Sequence, residues 1–256
     1  MTPWRRLRGY VSPYGVWTDV TPRPSSSTCF VLCSGPSLNA VTRAQWLEVE
    51  QHDSFGINYS FLKRVPTTFH LCEDPKVADE RAFLSAKIQA HADPRAIWFV
   101  HDRHYQRGLH PRWHPELFPS GVPRVSRWPL PPRILLDGDR PFQREDMRAT
   151  LRYRNTLSVV LHYVRALGYW RAVLLGCDLG VHQHFYDGYP SMAPYVKTMA
   201  ARYPKAAAPY PAETPKAGTP RPMSEYLQAV DRWSGMRLQI GAGDETTGLD
   251  RYLWIQ

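Results

Sequence analysis

Apolar residues fall in short, dense runs that alternate with longer stretches of helical spacing. The run "CFVLCS" from Cys29 predicts a first strand, followed by "DSFGIN", "TTFHLCED" and "AIWFVHD". Between them, "SLNAVTRAQWLEVEQ" predicts a helix starting near Ser37, with Val41, Trp46 and Leu47 on its apolar side. "DERAFLSAKIQAHA" carries Phe83, Leu84 and Ile88 at helical spacing. Further on, Leu157, Val160, Leu161 and Val164 stand at i, i+3, i+4 and i+7, and Gly168 follows as the candidate C-cap. "WRAVLLGCDLG" is nearly all apolar, as a central strand of a parallel sheet requires. "MSEYLQAVDRWSG" and "MRLQIGAG" predict a last helix and a last strand.

Strands alternating with helices predict an α/β fold: a Rossmann-like, mostly parallel sheet with helices on both faces. Two stretches break the pattern. Residues 103–142 hold many prolines and no sustained period, and predict an irregular Pro-rich insertion. Residues 190–222 end in "YPKAAAPYPAETPKAGTPRP" and predict a mobile loop. Residues 1–27 read as an arm, and 28–256 as one nucleotide-binding domain.

Composition adds limits. The 256 residues carry 32 Lys and Arg against 23 Asp and Glu, a net charge of +9. That balance admits nucleotides, nucleic acid or another anionic partner without choosing among them. No apolar run reaches the length of a membrane span, and the basic start "MTPWRRLRGY" has no apolar stretch behind it. The expectation is a cytoplasmic protein without a transmembrane segment. Cys29, Cys33, Cys72 and Cys177 lie in or beside predicted strands without zinc spacing, so buried free thiols are expected.

Ligands of parallel sheets bind at the carboxyl ends of the strands, so the residues that follow each strand matter most. After the first strand comes Ser34-Gly35-Pro36-Ser37. Gly35 permits a tight turn and close approach of a ligand, and Pro36 suits a first helical position. Such a turn either holds an anion on its free amides or is a plain strand-to-helix turn. Asn58 follows the second strand, Glu73 and Asp74 the third. Asp178 follows "LLGC", and His182, His184, Tyr186 and Asp187 come next. Their convergence on one edge points to a shared ligand site.

The blocks "CSGPSL", "INYSF" and "NTLSVVLHYVRALGYWRAVLLGCDLG" together resemble the bacterial lipooligosaccharide sialyltransferases, whose hallmark is a G-x-G-P-S-L turn. They also resemble the flagellin-glycosylation accessory proteins, a wider family that includes archaeal pterin pyrophosphokinases. The likeness covers roughly two thirds of the chain. It implies a Rossmann-like fold in which Ser34, Gly35, Pro36, Ser37 and Asn58 hold the cytidine monophosphate part of a donor. It also implies that Thr156, with Asn155 and Ser158 beside it, lines the same site, and that Tyr186 binds the leaving phosphate. Two departures stand out. Cys33 replaces the first glycine of the hallmark, and no histidine follows His184, where those enzymes carry their base.

The expected activity is transfer of a sugar from a nucleotide-activated donor, a CMP-sugar favoured, to an acceptor hydroxyl on a glycan or other molecule. His184, Tyr186 and Asp178 form the expected catalytic set; Ser34, Gly35, Pro36, Ser37, Asn58, Asp74, Asn155, Thr156 and Ser158 form the expected nucleotide site. His184 is either the base for the acceptor or a surface histidine. No metal site is assigned. The alternative is magnesium-dependent pyrophosphoryl transfer of the pterin pyrophosphokinase type, with Asp74 and Asp178 holding the ion. A third reading is a nucleic-acid-modifying or non-catalytic nucleotide-binding protein, suggested by the aromatic and basic residues of "HYQRGLHPRWHPELF".

Overall fold

A computed structural model describes residues 26–73, 75, 77–101, 124–127, 156–179, 183–202 and 223–243. Seven strands are present among them: β1 (Thr28–Leu32), β2 (Asp53–Ile57), β3 (Phe69–Glu73), β4 (Ile97–His101), β5 (Arg124–Arg127), β6 (Arg171–Cys177) and β7 (Arg237–Gly243). They form one sheet in the order β5-β4-β3-β2-β1-β6-β7. Every neighbouring pair is parallel. The six strands expected from the apolar runs are all present. The seventh, β5, lies inside the stretch read as irregular; four residues flanked by prolines are too short to carry a period.

Among the described residues, five α-helices flank the sheet: α1 (Arg43–Glu50), α2 (Ala78–His91), α3 (Thr156–Ala166), α4 (Ala193–Arg202) and α5 (Met223–Trp233). Alternation along the strands sends side chains to opposite faces. Phe30, Leu32, Val173 and Leu175 pack with Val49 of α1 and with Leu84 and Ile88 of α2. Cys29, Val31, Phe55 and Leu174 pack with Leu157, Val160, Leu161 and Val164 of α3 and with Leu227 and Val230 of α5. The helices thus cover both faces of the sheet. The four cysteines are free and buried, as expected.

The first helix starts later than its sequence suggested. Pro36–Asn39 is a single 3-10 turn, and α1 begins only at Arg43. The reason is a capping box. The Gln45 amide donates to Thr42 Oγ1 at 3.3 Å, and the Thr42 amide donates to Gln45 Oε1 at 2.8 Å. The end of α3 follows the expectation. Gly168 has φ 98°, its amide bonds Arg165 O at 3.0 Å, and the Tyr169 amide bonds Val164 O at 3.2 Å. This pair of bonds is a Schellman closure.

Part of the expected mobile loop is ordered. Residues 193–202 form α4, which stacks Tyr195 on Phe83 of α2 at 5.2 Å and 13°. Arg202 at its end pairs with Glu80 and, at 3.1 Å, with Asp79 of α2. Residues 203–222 and the arm before residue 26 lie outside the described residues. No helix among the described residues is long and apolar enough to cross a membrane.

Candidate functional site

Strand β1 has β2 on one side and β6 on the other. The chain leaves β1 toward one half of the sheet and returns at β6 to build the other. The β1/β6 boundary is therefore the switch point, where loops diverge and leave a crevice at the carboxyl edge.

Gly176 in β6 has φ 68°, the left-handed region that favours glycine. Its carbonyl accepts from the Gly35 amide at 2.9 Å. Asp178, one residue beyond β6, turns its carboxylate onto the β1 turn, and Oδ2 accepts from the Ser37 amide at 2.7 Å. The Leu38 amide bonds Gly35 O at 3.2 Å. The Ser37 amide, expected to be free for a ligand anion, is taken from within the chain by the Asp178 carboxylate. The amides of Gly35, Ser37 and Leu38 are all engaged, and Pro36 has none to offer. A methyl group on Gly35 would lie 2.6 Å from Asp178 Cγ and 2.7 Å from Asp178 Cβ. The space kept by this glycine is thus taken by Asp178 and not left for a phosphate. Asp178 Oδ1 and Ser37 Oγ are both buried without a partner among the described residues. Beneath them, the Cys33 thiol is hydrogen-bonded to that of Cys177 and buried, which pushes its pKa well above the usual thiol range.

A second group spans β2, β3 and α3. Asn58 stands just beyond β2 with φ 49°. Its side-chain oxygen accepts from the Glu73 amide at 3.4 Å, and its backbone carbonyl accepts from His70 Nε2–H at 2.7 Å. A carbonyl can only accept, so the His70 proton sits on Nε2. Burial lowers the His70 pKa to about 4, partly opposed by that hydrogen bond, so the ring is neutral at pH 7. Thr156 at the start of α3 donates to Glu73 Oε1 at 2.7 Å. Asn58 and Thr156, expected to share a site, are thus linked through Glu73. Glu73 was visible in the sequence as a strand-end residue but carried no family match.

The loop before α4 closes the other side. The Phe185 amide bonds Ser34 O at 3.0 Å, and Asn39 Nδ2 donates to Phe185 O at 3.0 Å. Lys63 donates to Asn39 Oδ1 and lies 5.1 Å from the Phe185 ring centroid. Burial lowers the pKa of this ammonium. Asn39 and Lys63 were missed because neither stands directly at a strand end. The loop itself is a turn in which the His184 amide donates to Asp187 Oδ2 at 2.8 Å and the Asp187 amide to His184 O at 3.1 Å.

His184 is exposed, with its ring 4.9 Å from that of Tyr186 at 19°. Tyr186 is only 4% exposed and meets Tyr59 edge-on at 5.4 Å. Burial raises its pKa well above the usual phenol range, with Tyr195 and Asp187 adding to the effect. The Tyr186 ring thus packs in the core beneath His184. Ser158 is likewise 0% exposed inside α3 and does not line a crevice. Asp74, Asn155 and His182 lie outside the described residues.

No group of three or more His, Cys, Asp or Glu side chains able to hold a metal ion occurs among the described residues. Comparison with protein-family models, with curated proteins and with solved structures finds no match to this chain.

Proposed function

We propose that the protein is a transferase of the sialyltransferase-like type, moving a sugar from a nucleotide-activated donor, a CMP-sugar favoured, to an acceptor hydroxyl. The observation that carries the reading is the gathering of polar groups from four strand ends at the carboxyl edge. These are Ser34 and Ser37 after β1, Asn58 after β2, Glu73 ending β3 and Asp178 after β6. The edge belongs to a doubly wound parallel sheet with its switch point at β1/β6.

In this reading the nucleoside lies along the edge between Asp178 and Asn58. The Asn58 side-chain amine, which has no partner among the described residues, offers a donor to it. Lys63 is a positive group for the leaving phosphate. His184, exposed at the rim, takes the proton of the acceptor hydroxyl, since imidazole titrates near neutrality.

The alternative is magnesium-dependent pyrophosphoryl transfer with Asp74 and Asp178 holding the ion. Asp74 lies outside the described residues, and the magnesium arms of a nucleotide screen separate the two readings.

A thermal-shift screen with CMP, CDP, UDP, GDP and ATP, each with and without magnesium, tests the proposal. A ligand at about 100 times its Kd stabilises the folded state by about 2.7 kcal/mol. CMP is expected to raise the melting temperature most, with or without magnesium. A screen in which no nucleotide moves it, or only ATP with magnesium does, would overturn the reading.

A further inference from the structure

Asn58 stands in a backbone state that residues other than glycine rarely adopt. Its φ is 49°, in the left-handed region, where β2 turns into the 3-10 segment Asn58–Lys63. For a residue with a side chain that state is disfavoured by about tenfold, so it persists only where its surroundings hold it. His70 supplies the hold. It is buried in β3, and its Nε2–H donates to the Asn58 carbonyl at 2.7 Å.

Three strands keep that imidazole in place. Gly56 of β2 and Trp98 of β4 are its partners in register on either side. A Cβ on Gly56 would lie 2.6 Å from His70 Cε1, so the glycine leaves the ring its room. The Trp98 ring lies 4.2 Å from the imidazole, and Phe61, just past the turn, meets it edge-on at 5.5 Å. Burying a polar ring among aromatic side chains carries a desolvation cost that a phenylalanine of similar size would avoid. The bond to the Asn58 carbonyl is what the histidine gives in return. Its consequence falls on the Asn58 side chain, whose Oδ1 accepts from the Glu73 amide at 3.4 Å. A backbone amide only donates, so the oxygen is the atom turned to Glu73, and the NH2 group is turned away from it as a donor. Asn58 is half-buried at the carboxyl end of β2, where a ligand can meet it; His70 is fully buried and cannot be met.

We infer that His70 is a positioning residue: by holding the Asn58 carbonyl it fixes Asn58 as a hydrogen-bond donor to a nucleoside at the carboxyl edge. The inference rests on the nucleotide reading above for the identity of the ligand. His70 itself touches no ligand and acts only through Asn58.

The test is calorimetric titration of the full chain with CMP. It is run on wild type, His70→Gln, His70→Phe, His70→Leu, Asn58→Ala and the double variant His70→Phe with Asn58→Ala. Glutamine keeps an N–H donor on a side chain of similar reach, so His70→Gln is expected to bind CMP within about threefold of wild type. His70→Phe and His70→Leu lose the donor and are expected to bind about tenfold more weakly, the effect of one hydrogen bond. In the Asn58→Ala background, His70→Phe is expected to change affinity by less than about twofold, because the side chain through which it acts is gone. Equal CMP affinity in wild type, His70→Phe and His70→Leu overturns the positioning role while nucleotide binding itself stands. A loss that His70→Gln shares in full, or that persists in full when Asn58 is alanine, makes His70 a general packing residue and overturns the role as well. Failure of CMP to bind wild type removes the nucleotide reading, and the positioning role with it.

Discussion

Gly35→Ala isolates the contact on which the site is built. The backbone at Gly35 has φ −71° and ψ 158°, an extended conformation that alanine adopts without strain. Any penalty therefore comes from the new methyl group. It would lie 2.6 Å from Asp178 Cγ and 2.7 Å from Asp178 Cβ, too close for either atom. Rotating the side chain does not move Asp178 Cβ, so the backbone after β6 must shift away from the turn and release the Ser37 amide that Asp178 holds at 2.7 Å. A hydrogen bond to a charged group contributes about 1.5–3 kcal/mol. Removing a glycine from the unfolded chain returns about 0.4–1 kcal/mol. The net expectation is a loss of about 1–2 kcal/mol, or roughly 2–8 °C in melting temperature for a chain of this size. Urea denaturation of Gly35→Ala, Asp178→Gly and the double variant measures it as a cycle. With Asp178 removed, the methyl group has free space, so Gly35→Ala should become neutral or slightly stabilising there. A coupling of at least about 1 kcal/mol is expected between residues in direct contact. Effects that add to within about 0.5 kcal/mol would refute the packing argument.

Other outcomes follow from the same geometry. His70 has a folded pKa of about 4 against an ordinary value near 6.5, so the unfolded chain binds more protons between these pH values and stability falls as pH drops from 6.5 toward 4. Between pH 7.5 and 5.5 this amounts to about 1.4 kcal/mol in urea denaturation, and His70→Gln should lack that part of the slope. Tyr186→Phe should leave CMP affinity in calorimetry within twofold, because the ring is core, whereas Tyr186→Ala should cost about 3–5 kcal/mol of stability. In a donor-consuming assay, His184→Ala should lower turnover by about 10²–10⁴-fold with CMP affinity unchanged; unchanged turnover would make the residue a surface histidine. EDTA should leave that turnover intact.

The sheet was legible because its central strands are short and nearly continuous in apolar residues, a pattern that local sequence carries in full. Thr28–Leu32 and Ala172–Cys177 are buried along their whole length, and both were marked by composition alone. The late start of α1 was written in Thr42 and Gln45, but Pro36 and Ser37 offered a plausible earlier signal. In α4, Tyr195 and Val196 pack partly buried against the core, yet the Ala- and Pro-rich residues beyond Arg202 swamped that signal. The site was half legible. Ser37, Asn58 and Asp178 were marked by their positions after strands. That Asp178 fills the turn after β1 was not, because the contact joins residues 141 positions apart. Tyr186 was assigned to the leaving phosphate by the family resemblance, which carries no information on how its ring packs. Only packing against Tyr59 shows that its ring belongs to the core.

Titration of isotopically labelled protein with CMP, followed by backbone amide and Asn side-chain resonances, tests the central claim most directly. The predicted result is a set of shifts confined to the carboxyl edge, at Gly35, Ser37, Asn58, Thr156 and Asp178, with the Asn58 side-chain amide among the largest. Shifts clustered instead at the opposite edge, around Trp170, Arg171 and Arg237, would contradict it, as would a spectrum that CMP leaves unchanged.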